Sequence, residues 1–178
     1  MFVKEPTPLE DIYLVSDTVH YDKRGSFQEA YNVLSFAGRD FHFHVSQVNL
    51  AKSTEKGTVR GMHWQDPHPQ TKLVYCIRGS IYDVVVDLRA GSPGPESVYG
   101  VVLSAPNSMG ILIPPGFAHG WQALKENSEI LYIVENLWNP KHERGIRPDD
   151  PALKIPWPLP LVNVSQRDLS WPLLGSSK

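Results

Sequence analysis

Short runs of alternating or β-branched residues, separated by turn-forming residues, dominate the hydrophobic pattern of this chain. These runs predict strands over residues 41–45, 72–77, 80–88, 98–103, 109–113 and 129–135. Proline and glycine clusters separate them, and long helical periodicity is nearly absent. Segments 9–14 and 31–36 each fit either a short helix or a strand. The pattern therefore predicts an all-β sandwich or barrel with few, short helices.

The predicted strand 80–88 has two faces of different character. Asp83 and Asp87 are an even number of residues apart, so both should lie on one face, together with Ile81 and Val85. The opposite face is more apolar. This mixture fits a barrel strand with one partly wet, functional face, but two solvated carboxylates pointing outward are the simpler interpretation.

Length, charge and cysteine usage narrow the class of protein. The chain has 178 residues, and we expect a single domain over residues 1–178. Seventeen Lys and Arg against nineteen Asp and Glu leave a net charge of -2 without a basic run, which does not indicate nucleic-acid binding. The only cysteine, Cys76, lies in an apolar run and is expected to be a buried thiol in a reducing cytoplasm.

The two ends of the chain give weaker signals. The N-terminus lacks the apolar region of a secretory signal, and no apolar run approaches the roughly 18 residues that span a bilayer. We therefore expect a cytoplasmic protein without membrane contact. The Pro-rich C-terminal segment is expected to wrap the domain irregularly and to return Asp168 to its surface.

Segment 58–73 concentrates the side chains that can carry chemistry. Arg60, His63 and Lys72 fall within 13 residues, and an apolar run follows directly. An imidazole suits reversible proton transfer near neutral pH, and a neighbouring ammonium group can stabilise charge that develops on a carbonyl oxygen. Arg60 indicates that the substrate also carries an anionic group.

Nine short segments, each a weak motif alone, occur in an order and spacing that together are specific. They are residues 22–29, 46–49, 59–65, 72–74, 83–89, 113–120, 129–132, 143–146 and 165–168. From about residue 14 to residue 174, the chain resembles the dTDP-4-dehydrorhamnose 3,5-epimerase family of nucleotide-sugar 4-keto epimerases. The resemblance implies a cupin-like jelly roll, usually a homodimer, that uses no metal or other cofactor. It also implies an isomerase that inverts C3, C5 or both of a nucleotide-linked 4-keto-6-deoxy sugar in deoxysugar and polysaccharide biosynthesis.

Epimerisation beside a ketone needs a base on one face of the sugar and an acid on the other. The resemblance assigns the base to His63, with Asp168 holding its second ring nitrogen. It assigns the acid to Tyr132 and the stabilisation of the enolate oxygen to Lys72. His119 falls on a further active-site position near the sugar.

The resemblance also implies a set of substrate-binding residues. Arg24 and Arg60 occupy the phosphate side, where guanidinium groups can bind a diphosphate bidentately. The residues with expected contacts to the nucleotide or the phosphates are Phe27, Glu29, Gln47, Asn49 and Glu143.

One departure from the family lies where the substrate is recognised. The family commonly has a Tyr-Tyr pair where this chain has Leu137 and Trp138, so one stacking ring is lost and the other is larger. Trp138 is expected to contact the substrate. The identity of the nucleobase, and whether C3, C5 or both are inverted, stay open.

Other classes share parts of this pattern. A metal-dependent cupin needs an H-x-H pair with a carboxylate a few residues later; His42 and His44 form the pair, but no carboxylate follows. A C3-only epimerase or a 3,4-ketoisomerase would share the fold and a related nucleotide sugar. A non-catalytic sugar-binding sandwich would not need a histidine, a lysine and a tyrosine in one pocket.

Overall fold

The computed structural model describes residues 3–37, 44–89 and 94–174. In chain order, the strands of these ranges are β1 Val3–Pro6, β2 Tyr13–Ser16, β3 His20–Asp22, β4 Gly25–Phe27, β5 Val45–Ser53, β6 Val59–Gln65, β7 Lys72–Arg78, β8 Ser80–Asp87, β9 Val98–Ser104, β10 Gly110–Ile113, β11 Phe117–Ala123, β12 Ser128–Glu135 and β13 Glu143–Gly145. The helices are α1 Val33–Ala37 and α2 Gln166–Leu169, and a single 3₁₀ turn covers Pro95–Ser97. No helix within these ranges is long and apolar enough to cross a bilayer.

Two antiparallel sheets form the body of the molecule. One has six strands in the order β1-β2-β10-β7-β12-β5, and the other has five in the order β13-β6-β11-β8-β9. Strands β3 and β4 form a separate hairpin. Consecutive strands such as β7 and β8 lie in different sheets, so the chain passes repeatedly from one layer to the other. This arrangement is the predicted cupin-like jelly-roll sandwich.

The two-residue period of the strands produces the core between the sheets. On β8, Ile81 and Val85 point inward and pack with Val74 of β7 and Trp121 of β11. The alternate β8 residues, including Val84, point to the outer side of the five-stranded sheet. Both faces of β8 are therefore buried, which is why the strand reads as a nearly continuous apolar run.

Irregular segments cover the outer faces of both sheets. Ile146 and Leu153, from the chain beyond β13, pack on the outer face of the five-stranded sheet. Phe36 of α1 is buried against Leu73 and Leu112 on the outer face of the six-stranded sheet. The Pro-rich C-terminal segment thus wraps the domain irregularly, as predicted, and carries α2 to the edge of the cavity described below, where Asp168 is buried and not at the surface.

The hydrophobic pattern located most of the core strands. Predicted strands 72–77, 80–88, 98–103, 109–113 and 129–135 correspond to β7, β8, β9, β10 and β12. Strands β6 and β11 were missed because glycine and polar residues interrupt their apolar pattern. Segment 9–14 is a turn leading into β2, and segment 31–36 contains most of α1. Residues 41–43 of the predicted strand 41–45 lie outside the described residues, and Cys76 is a buried free thiol, as predicted.

A β-bulge at Gly61 brings two cavity residues to the same face of β6. His63 pairs with His119 and Arg60 pairs with Trp121, so two β6 residues oppose the single residue Gly120. In a regular strand, residues three apart would point to opposite faces. The extra residue lets both Arg60 and His63 line the cavity between the sheets.

The bulge requires glycine at position 61. Its φ is +107°, and an added Cβ would lie 2.6 Å from the Gly120 Cα and 2.7 Å from the His119 carbonyl oxygen. Those atoms belong to the backbone, which cannot move aside without breaking the pairing of β6 with β11.

We predict that Gly61→Ala lowers the free energy of unfolding by about 3 kcal/mol or more, because backbone strain and overpacking add. The matched control is Gly25→Ala, since Gly25 has a φ of +136° but nothing within 4 Å of the added Cβ. That control should cost only the strain, about 1–2 kcal/mol. Denaturant unfolding measures both. Equal losses for the two variants would contradict the steric argument.

Candidate active site

A cavity of about 410 Å³ opens between the two sheets. Nine of the predicted site residues line it: Gln47, Asn49, Arg60, His63, Lys72, His119, Tyr132, Trp138 and Glu143. A second recess of about 570 Å³ shares Arg60, His63 and Tyr132 with the first and contains Asp168. The sequence therefore identified most of the wall of one connected site.

His63 is held on one side by a carboxylate. Its Nε2 lies 2.7 Å from Oδ1 of Asp168, a residue 105 positions further along the chain. Burial opposes ionisation of Asp168, but hydrogen bonds from His63, the Gly61 N–H and Ser165 together lower its pKa. The ionised carboxylate can only accept, so His63 Nε2 carries the proton. In the neutral imidazole, Nδ1 is then the free basic nitrogen.

The position of Asp168 is fixed by its own short helix. Ser165 caps α2, and its hydroxyl oxygen accepts a hydrogen bond from the Asp168 N–H at 3.0 Å. The Gly61 N–H donates to Asp168 Oδ2 at 3.4 Å, which ties the helix to the bulge in β6. Asp168 is buried, so little water competes for these bonds.

A second carboxylate lies on the Nδ1 side of His63. Oε1 of Glu143 is 3.8 Å from His63 Nδ1, and its Oε2 forms an ion pair with Arg167. Glu143 can stabilise positive charge on the imidazole once Nδ1 has accepted a proton. Arg167 lines the second recess and was not identified from the sequence, because a surface arginine near the C-terminus gives no distinguishing pattern.

Lys72 begins β7 and reaches into the cavity beside β6. Its Nζ donates to the main-chain oxygen of His63 at 3.5 Å. Burial lowers the pKa of Lys72 from 10.5 to about 8, although the carboxylates of Glu143 and Asp83 act in the opposite direction. Near neutral pH the side chain is still mostly an ammonium ion, held where water is restricted.

Tyr132 projects from β12, in the sheet opposite to that of His63. The indole Nε1–H of Trp121 donates to the Tyr132 hydroxyl oxygen at 2.6 Å, which leaves the phenolic O–H free to donate into the cavity. Burial raises the pKa of Tyr132, and the hydrogen bond from Trp121 only partly offsets that effect. The hydroxyl is therefore protonated near neutral pH.

A second histidine–carboxylate pair lies deeper in the site. His119 Nε2 is 3.0 and 2.9 Å from the two oxygens of Asp83, and Asp83 is fully buried. Interpreting Asp83 as a solvated, outward carboxylate was therefore wrong, whereas Asp87 is partly exposed and bonds to Arg89. Burial raises the pKa of Asp83, with His119 acting in the opposite direction. The alternation in β8 contained this signal, since Asp83 shares a face with the core residues Ile81 and Val85.

The rest of the cavity wall consists mainly of polar side chains and of the indoles of Trp64, Trp121 and Trp138. Arg60 donates to the Ser53 hydroxyl and to the Lys52 carbonyl oxygen, and it lies over the ring of Trp121. Gln47 and Asn49 are two residues apart on β5, and the Gln47 Nε2–H donates to Asn49 Oδ1 at 2.8 Å. Trp138 is about half exposed, at 48%, so its ring is available at the cavity mouth.

Three predicted binding residues lie away from this cavity. Arg24 forms an ion pair with Asp22 in the β3–β4 hairpin, and Phe27 in the same hairpin is 71% exposed. Glu29 follows the hairpin and accepts hydrogen bonds from Asn32 and Ser35. None of these three side chains lines the cavity around His63 in the same chain.

Within residues 3–37, 44–89 and 94–174, no group of three or more His, Cys, Asp or Glu side chains is arranged to hold a metal ion. His42, part of the H-x-H pair considered above, lies outside these ranges.

Comparison with known proteins gives consistent matches over nearly the whole chain. A family model described as dTDP-4-dehydrorhamnose 3,5-epimerase matches residues 6–176. The enzyme of that name from Methanothermobacter thermautotrophicus is 38% identical over 173 residues, which cover 96% of this chain and 92% of the relative.

Two solved structures share the fold closely. The dTDP-4-dehydrorhamnose 3,5-epimerase of Bacillus anthracis, solved with TDP and pyrophosphate, superposes with a TM-score of 0.92 at 36% identity and covers 98% of this chain and 100% of its own. The dTDP-6-deoxy-D-glucose-3,5-epimerase of Legionella pneumophila, in complex with dTDP-4-keto-L-rhamnose, also has a TM-score of 0.92, at 31% identity, covering 100% of this chain and 95% of its own.

The lowered pKa of Lys72 predicts that this residue destabilises the fold. We expect Lys72→Met to raise the free energy of unfolding at pH 7 by about 1–3 kcal/mol, because folding no longer has to remove a charged ammonium group from water. In the parent, the folded form releases this proton near pH 8 and the unfolded form near 10.5. The advantage of the variant should therefore shrink as the pH rises through that window.

Denaturant unfolding at several pH values measures this effect. Lys52→Met is the control, since Lys52 is about half exposed and should show no comparable gain. A Lys72→Met variant that is less stable at pH 7, or whose advantage does not change with pH, would contradict the interpretation.

Proposed function

Because this chain belongs to the dTDP-4-dehydrorhamnose 3,5-epimerase family, we propose that His63 and Tyr132 carry out its reaction on opposite faces of the sugar. The reaction is the epimerisation of a dTDP-linked 4-keto-6-deoxy sugar at C3 and C5. The single observation that carries the assignment is the bond from His63 Nε2 to Asp168, because it leaves Nδ1 as the base.

The first step is removal of a proton from the carbon beside the ketone. His63 Nδ1 takes the proton, the electron pair of the C–H bond forms a C=C bond, and the π pair of the carbonyl moves to its oxygen to give an enolate. The imidazolium is stabilised by Asp168 at Nε2 and by Glu143, 3.8 Å from Nδ1. The ammonium group of Lys72 stabilises the enolate oxygen in the restricted cavity.

The second step returns a proton to the other face. Tyr132 donates its phenolic proton to the same carbon as the enolate collapses back to the ketone, so the configuration is inverted. The Trp121 N–H, which already donates to the Tyr132 oxygen, stabilises the phenolate that remains. Proton exchange with water then restores His63 and Tyr132 for the next inversion.

The nucleotide end of the substrate is assigned to the outer part of the cavity. Arg60 supplies a guanidinium for the diphosphate, and Gln47, Asn49 and Trp138 line the mouth. The C3-only epimerase and the 3,4-ketoisomerase are not favoured, because the family model and the relatives described above are 3,5-epimerases. A cytoplasmic location and a single domain over residues 1–178 stay predictions.

Arg24, Phe27 and Glu29 fit this site only if a second copy supplies them. Phe27 and Tyr21 are 71% and 75% exposed on the β3–β4 hairpin and line one recess together with Arg24. Exposed aromatic rings beside a guanidinium suit contact with a nucleotide. We therefore propose a homodimer in which this hairpin reaches the cavity of the partner.

We predict that His63→Ala and Tyr132→Phe fail in different ways. Without the base no enolate forms, so His63→Ala should abolish both exchange with deuterated water and epimerisation. Tyr132→Phe should still exchange, since His63 can take the proton and return it on the same face. Net inversion should fall by roughly 10²–10⁴-fold, the usual contribution of one positioned acid.

Mass spectrometry of deuterium uptake by dTDP-4-keto-6-deoxyglucose, with NMR of the product configuration, measures both effects. Inversion at the parental rate by Tyr132→Phe would transfer the acid role to another residue, His119 first. Exchange at the parental rate by His63→Ala would remove the proposed base.

The partner-supplied hairpin predicts complementation between two variants with different defects, assayed at a substrate concentration well below KM. Arg24→Ala should bind substrate weakly, and His63→Ala should be inactive, but mixed dimers contain one site with both residues intact. After co-refolding at equal amounts, random pairing should restore about a quarter of parental activity. Activity no higher than the sum of the separate variants would place Arg24 in its own chain's site or outside any site.

A further inference from the structure

Trp138 lies on a short segment that bridges the two sheets at the cavity mouth. The segment follows β12 of the six-stranded sheet and leads to β13 of the five-stranded sheet. It has no regular secondary structure, so its own backbone bonds cannot fix the ring of Trp138. Side chains from outside the segment therefore have to hold Trp138 in place.

Gln65, the last residue of β6, anchors this segment from one side. Its Nε2 donates to the carbonyl oxygens of His68 and Leu137 at 2.7 and 3.2 Å. Its Oε1 accepts from the Asn139 N–H at 2.7 Å. Gln65 is buried at 3% exposure, so these main-chain groups lose their partner if the amide is removed. The bonds to Leu137 and Asn139 fall on the two neighbours of Trp138.

Gln47 of β5 fixes the same segment from the other side. Its Oε1 accepts from the N–H of Trp138 itself at 2.9 Å, while its Nε2 donates to Asn49. Strands β5 and β6 belong to different sheets. The backbone around Trp138 is therefore held by two glutamine amides from opposite layers, and Gln65 contributes the buried half of this clamp.

We propose that Gln65 is a positioning residue for nucleotide recognition, which acts by holding Trp138 as a preformed wall for the base. This inference rests on the proposed function, in which Trp138 lies at the nucleotide end of the cavity. A wall that is ordered before binding spares the complex the entropy loss of ordering the segment. Gln65 lines the same cavity as His63 and Tyr132 but has no role in the proposed proton transfers. It need not touch the substrate to act through Trp138.

The first test is Gln65→Met, a change of similar length that removes the three bonds. The Kd for dTDP, measured by calorimetry on the full chain, should rise about tenfold, because binding would then have to order the Trp138 segment. KM for the nucleotide sugar should rise in parallel, with kcat within about threefold of the parent. If Gln65→Met does not fold, Gln65→Glu, which keeps the acceptor for Asn139 but loses both donors, is measured against the same outcomes.

The matched control is Gln122→Met. Gln122 is a fully buried glutamine whose amide likewise binds backbone, donating to Leu159 and Pro160 oxygens and accepting from the Leu159 N–H. It lies outside the cavity wall. It should lose comparable stability while the Kd for dTDP stays within about twofold. A tenfold rise in that Kd would mean that a general loss of stability explains the effect of Gln65→Met.

The decisive test is a double-mutant cycle with Trp138→Ala. If Gln65 acts through Trp138, Gln65→Met should change the Kd for dTDP less than about twofold once the ring is absent. Additive effects, or an unchanged Kd in the single variant, would overturn the proposal. Epimerisation by the parent is assayed separately: its absence would count against the proposed function, whereas additive binding effects with epimerisation intact would count only against the role of Gln65.

Discussion

The hydrogen bond between His63 Nε2 and Asp168 Oδ1 is the interaction on which the rest of the site depends. It joins β6 of the five-stranded sheet to the short helix α2 near the C-terminus. To make it, the C-terminal segment must cross the outer face of that sheet, and Gly61 must open a bulge in β6. Because the carboxylate is ionised, the bond also decides which imidazole nitrogen can act as a base. This one contact therefore depends on the path of the C-terminal segment and on the bulge in β6, and it determines the tautomer of His63.

The protonation states of the cavity residues match those that the proposed mechanism requires. Burial disfavours the Lys72 cation, which is still mostly charged near neutral pH, and in the proposed mechanism this charge stabilises the enolate. Burial keeps Tyr132 protonated, and the Trp121 N–H donates to the oxygen that would become a phenolate in the proposed mechanism. If the proposed mechanism holds, these buried polar groups stabilise charges of the reaction at a cost to the stability of the fold.

Features encoded in a short stretch of sequence were predicted, whereas features that depend on contacts between distant parts of the chain were missed. Strands with clear alternation were found, whereas β11 was missed because glycine and polar residues occupy a strand whose faces are both covered. His63 and Lys72 stood out because unusual residue types were close together in the chain. Asp83 did not, since its meaning depends on burial against His119. The distance of Arg24 from the cavity of its own chain could not be predicted, because spacing along a chain does not determine where the β3–β4 hairpin lies relative to the cavity.

The most direct test of this account is the tautomer of His63, measured by ¹⁵N NMR of histidine-labelled protein at a pH where the ring is neutral. The proposed mechanism requires a proton on Nε2, with that N–H hydrogen-bonded to Asp168, and an unprotonated Nδ1 facing the cavity. Asp168→Asn should weaken the preference for this tautomer, because an amide can also donate. A His63 ring that carries its proton on Nδ1 in the parent would leave no free basic nitrogen toward the substrate, and would contradict the proposed mechanism.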